Sequence, residues 1–140
     1  MKTIIAGSRK IPSMGLNEPQ DWFKPGVQDA MLDLLEEIIK KSKFDITEII
    51  SGTAWGIDSL GELYGEKNQI PIKKIPANWK EHGRKAGHMR NMEMAKLGDA
   101  LIVVMAENSS GSENMLSCMK SQKKPYFAII LGSKPTEKWY

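Results

Sequence analysis

Residues 100–114 read ALIVVMAENSSGSEN. Seven consecutive apolar residues, Ala100 to Ala106, leave no polar face, so a strand built from them must be covered on both sides. The chain then turns within a few small and hydroxyl-bearing residues and enters a helical pattern expected over Glu113 to Gln122. A strand apolar throughout and followed at once by a helix is the repeating unit of a parallel sheet, because parallel neighbours need crossovers and those are usually helices.

Working outward, the same alternation recurs. Thr3 to Ala6, Ile46 to Ile50, Ile70 to Ile75 and Pro125 to Leu131 read as strands, with Pro125 at a first position where proline is tolerated. Gly26 to Lys43, the stretch ending near Lys67, and Lys80 to Leu97 carry helical spacing, the last despite Gly83 and Gly87. The order βαβαβαβαβ predicts an α/β domain over 1–140: a Rossmann-like doubly wound parallel sheet of about five strands, in the order 3-2-1-4-5, with helices on both faces. In such a sheet the ligand crevice lies beyond the carboxyl ends of strands 1 and 4, where the strand order reverses.

Composition fits one soluble core: 140 residues, 41% hydrophobic and 26% charged. The 20 basic and 17 acidic residues nearly balance, so neither nucleic acid nor a membrane surface is the expected partner. No apolar run approaches the roughly 18 residues of a membrane helix. The single cysteine, Cys118, permits no intrachain disulfide and fits a reducing, cytoplasmic setting; with Met115 and Met119 it reads as core packing. His82 and His88 lack a nearby acidic or cysteine cluster, so no metal site and no cofactor are expected.

The loops after strands 1, 2 and 4 all fall on the carboxyl edge. They contain Gly7, Ser8 and Arg9; Ser51, Gly52, Thr53 and Gly56, followed by Asp58; and Ser110, Gly111 and Ser112. Glycine lets a backbone come close to a ligand, and the next helix offers unpaired N–H groups and a positive dipole end, a combination suited to phosphate. The alternative is that these residues only turn the chain and cap helices. None of the loops matches a Walker loop or GxGxxG.

A fourth segment, residues 79–91, holds four lysines or arginines and both histidines. Arg84, Arg90 and Asn91 are its candidate ligand-binding residues, and Arg90 could fork onto a phosphate. Trp55 and Trp79 are open between stacking on a base and a core or interface role. Residues 7–25, without clear periodicity and with three prolines, are longer than a usual connection and read as a lid or a subunit contact.

Taken together, these motifs resemble the SLOG superfamily, most closely its YspA-like branch, a group related to the LOG (lysine-decarboxylase-like) and DprA Rossmann-like proteins. The likeness spans nearly the whole chain. It rests on Ile4 to Arg9, Ser51 to Asp58, Pro76 to Trp79 with Gly83-Arg84, Ala86-Gly87 and Arg90-Asn91, and Ser110 to Ser112. The resemblance implies binding or sensing of a nucleotide-type small molecule, with ADP-ribose-like ligands proposed for this branch, and leaves homo-oligomer formation open. Related enzymes hydrolyse nucleoside 5′-monophosphates with an arginine and a glutamate. The corresponding scheme here would use Arg90 and Glu113, with Glu93 or Asp58 as further acids, although Asn114 stands where that glutamate is expected. The third expectation is single-stranded DNA binding of the DprA type, from the likeness of residues 51–58.

Overall fold

In the computed structural model the described residues are 1–132 together with the strand 136–139. Their strands are β1 (Lys2–Gly7), β2 (Glu48–Ser51), β3 (Ile72–Lys74), β4 (Ala100–Ala106), β5 (Tyr126–Leu131) and β6 (Thr136–Trp139). The helices are α1 (Val27–Ser42), α2 (Ile57–Lys67), the single turn α3 (Trp79–His82), α4 (Ala86–Leu97) and α5 (Ser110–Ser121). The sheet order is β3-β2-β1-β4-β5-β6. The first five strands are parallel, as the alternation predicted, and β6 pairs antiparallel with β5.

Alternate residues of each central strand feed opposite cores. Ile5, Ile49, Ile102, Val104 and Phe127 pack with Leu35, Ile38 and Leu60 under α1 and α2. Ile4, Ile50, Leu101, Val103 and Ala128 pack with Met94, Met115 and Met119 under α4 and α5. Every residue of β4 is buried, which is why that strand shows no period-two alternation.

Several boundaries differ from the sequence reading. β3 covers only Ile72–Lys74, and its Lys73 and Lys74 are exposed because it is an edge strand. The helix expected from Lys80 to Leu97 is broken: Gly83 adopts φ 56, a conformation outside a right-handed helix, and a 3-10 turn (Gly83–Lys85) separates α3 from α4. α5 begins at Ser110, three residues earlier than expected, so Ser110, Gly111 and Ser112 form its first turn.

Residues 7–25 are an ordered flap. Ile11 bridges Leu16, both are buried, and two 3-10 turns follow the chain to Trp22. The Trp22 ring enters the α1/α2 core, and its indole N–H donates to the Arg9 carbonyl at 3.1 Å. Burying such side chains contributes roughly 1.5–3 kcal/mol each, enough to hold the flap in one place.

Candidate functional site

The order reversal between β1 and β4 opens a crevice at the carboxyl ends of the strands, a cleft of about 870 Å³. Its walls are the loops after β1, β2 and β4, the segment from Pro76 to Trp79, and the start of α4. The volume lies within the range of roughly 300–1,000 Å³ usual for small-molecule sites. Twelve of the sequence-selected residues line it: Gly7, Ser8 and Arg9; Gly52, Thr53 and Asp58; Arg84, Arg90 and Asn91; and Ser110, Gly111 and Ser112.

Ser51, Gly56 and Glu113 do not line the cleft. The Ser51 hydroxyl donates to Glu62 at 2.6 Å and accepts the Thr53 amide at 3.1 Å, so it organises the loop from beneath. Gly56 sits at φ 93, where a Cβ would come within 2.7 Å of the Ser8 carbonyl and 2.9 Å of the Arg9 Cα; it joins the β1 and β2 loops to each other. Glu113 is exposed on α5, and Glu93 is likewise exposed and off the cleft wall.

Asp58 and Arg90 are the charged centre. Asp58 is buried, and its carboxylate accepts the Ala54 amide at 3.2 Å. Burial pushes its pKa up to about 6, against the opposing pull of the Ala54 amide and the Arg90 charge. The Arg90 guanidinium donates through Nη1 to the Gly52 carbonyl and through Nε to Asn91 Oδ1 at 3.0 Å. A Cβ on Gly52 would lie 2.7 Å from the guanidinium and 2.9 Å from Asp58, so a larger residue there displaces both charged groups. Burial lowers the Arg90 pKa, with Asp58 opposing and the nearby Arg9 charge adding to the shift.

Asn91 fixes this arrangement from α4. Its amide donates to the Gly111 carbonyl at 3.3 Å and to Asn114 Oδ1 at 2.9 Å, tying α4 to α5. Asn114 is a residue whose part sequence reasoning missed: it supports Asn91 from the position where a glutamate was sought. Lys10, Glu107 and Ser109 also line the cleft. Their signal was adjacency to the selected loops.

The loop after β4 is built differently from the other two. Ser8 Oγ accepts the Ala106 amide at 2.9 Å and donates to Ser109 Oγ at 2.8 Å, and Ser109 in turn donates to Ser112 Oγ at 3.1 Å. The N-cap residue Ser109 makes no side-chain cap hydrogen bond, so the first amides of α5 face the cleft without a side-chain acceptor, while Glu113 in the same turn offsets part of the dipole from the exposed side. A Cβ on Gly111 would meet nothing within 4 Å. Asn108, at φ 60, turns the chain into this position.

Thr53 adopts φ 67, which is costly for a β-branched residue. Trp55 is half-buried beneath Arg9, whose guanidinium carbon lies 6.0 Å from the ring centre. Cys118 is buried in the α4/α5 core, and burial raises its pKa, which disfavours the nucleophilic thiolate. Among the described residues no group of three or more His, Cys, Asp or Glu could hold a metal ion, and no helix is long and apolar enough to cross a membrane.

Comparison with known proteins adds one distant relative. The chain is 27% identical over 110 residues to the Gene 61 protein of Mycobacterium phage D29, covering 74% of this chain and 85% of that one. No family model matches, and no solved structure matches.

Proposed function

We propose that this chain, acting as one SLOG-like domain over residues 1–140, binds a nucleotide or nucleotide-derived ligand of the ADP-ribose type. The phosphate groups lie between the first turn of α5 and the guanidinium groups of Arg90 and Arg9. The observation that carries this reading is the uncapped N-terminus of α5 opening on the same cleft as two mutually repelling arginines. An anion placed there takes up amide N–H groups without protein partners and relieves like-charge repulsion.

The β2 loop has a smaller direct role, since the Thr53 and Ala54 amides are already taken by Ser51 and Asp58. Its contribution is to hold Arg90 through the Gly52 carbonyl. Calorimetry and thermal shift with AMP, ADP-ribose, NAD and cyclic nucleotides test the proposal. A ligand at 100 times its dissociation constant stabilises the protein by about 2.7 kcal/mol. Silence across the panel in both measurements overturns it.

A second reading, hydrolysis of a nucleotide N-glycosidic bond, is favoured by one feature: Asp58, a buried acid that titrates near 6 and lines the cleft with Arg90. In this reading Asp58 replaces the exposed Glu113 as the acid. Absence of released base or ribose phosphate from the same panel at pH 5–8 removes it.

A further inference from the structure

Trp79 is 61% exposed, although it stands in the wall of a cleft rather than on an open face. The other tryptophans with described side chains are committed elsewhere: Trp22 to the α1/α2 core, and Trp55 to that core and to Arg9. One edge of the Trp79 ring rests on α4. Its Cη2 lies 3.5 Å from where a Cβ on Gly87 would stand, so the ring sits on the first turn of α4 at the point where that helix has no side chain.

The turn that carries Trp79 is fixed. Asn78 caps α3 by accepting the Glu81 amide at 3.1 Å, and its own amide donates to the Glu81 carboxylate at 2.8 Å. An indole with a fixed backbone, a seated edge and an open remainder has surface available for a flat partner at little cost in side-chain ordering.

Resting on the phosphate-binding reading above, we propose that Trp79 is the stacking platform for the base of the ligand and is the residue that makes the cleft prefer a nucleotide over a simple sugar phosphate. Phosphate is held at the β4 side of the cleft and the base on the β3 side, where Trp79 follows the Pro76–Ala77 wall. Stacking on one face reads a π-surface and not a hydrogen-bond pattern, so discrimination among bases is weak.

The test compares AMP with ribose 5-phosphate by calorimetry on the wild-type chain, Trp79→Ala and Trp79→Phe. Wild type binds AMP more tightly than ribose 5-phosphate by about 5- to 150-fold, the usual range for one base on one aromatic ring. Trp79→Ala loses that advantage while its affinity for ribose 5-phosphate is unchanged, and Trp79→Phe recovers most of it. Unchanged AMP affinity in Trp79→Ala overturns the proposal. Equal wild-type affinity for the two ligands overturns it and leaves phosphate binding standing, whereas binding of neither overturns it, and overturns the phosphate-binding reading as well when ADP-ribose, NAD and the cyclic nucleotides are also silent.

Discussion

Arg90 is fastened to Gly52: its Nη1 donates to the Gly52 carbonyl, thirty-eight residues away in sequence, at a place where an added Cβ would press on the guanidinium. The guanidinium is therefore presented in a set direction before any ligand arrives. Replacing Arg90 with alanine removes charge-assisted hydrogen bonds worth about 1.5–3 kcal/mol each. Ligand affinity should fall by about 10- to 150-fold for each such bond lost, read by calorimetry. Arg90→Lys keeps the charge but loses the fork and the bond to Asn91, and should recover only part of the loss.

Stability should vary with pH through Asp58. Its folded pKa, about 6, lies above the ordinary value of 3.8, so the folded state holds a proton that the unfolded state has released. The contribution is fully present below about pH 4, is lost as pH rises through about 6, and is flat above. The expected loss is roughly 2–3 kcal/mol. Urea unfolding at several pH values measures it, and Asp58→Asn should flatten the profile over this window.

An anionic ligand should draw a proton onto Asp58. Neutralising that carboxylate leaves Arg90 unopposed, so affinity for ADP-ribose, whose phosphates do not titrate near 6, should rise as pH falls from 7.5 to 5.5. Calorimetry in two buffers of different ionisation enthalpy should show net proton uptake on binding.

Two glycines should separate architecture from binding. Gly56→Ala forces a Cβ against the backbone of Ser8 and Arg9 at φ 93 and should destabilise the chain by about 2 kcal/mol or more. Gly111→Ala meets nothing within 4 Å and should keep or slightly raise the melting temperature, through about 0.4–1 kcal/mol of chain entropy, while weakening the ligand that approaches the first turn of α5.

Thr53 holds a left-handed conformation at φ 67 on the cleft wall. Thr53→Gly relieves about 1–2 kcal/mol of steric cost and adds back about 0.5–1 of chain entropy. A net gain of about 0.5–1 kcal/mol should appear as a higher denaturation midpoint in urea at constant slope.

The fold was legible because β4 has no polar face and because periodicity changes at each strand-to-helix junction. From these, the five parallel strands and their order follow. The sixth strand was not legible: 136–139 has neither an unbroken apolar run nor a helical spacing before it. The break at Gly83 was hinted at by the glycine itself, but helical spacing on either side of it hides where the chain leaves the right-handed helix. At the site, small residues marked the correct edge of the sheet, while their separate duties were hidden. Gly52 and Gly56 admit other parts of the protein, Gly111 leaves open space, and Ser51 works beneath the loop. Sequence carries the residue type at a turn; which neighbour presses on it depends on chain that is distant in order.

The three hydroxyls of Ser8, Ser109 and Ser112 have a last consequence. Each is both donor and acceptor, so the row can reverse its polarity by bond rotation alone, with no backbone displacement. The floor of the crevice is therefore ambidextrous: it can answer an oxygen with a proton or an amine with a lone pair.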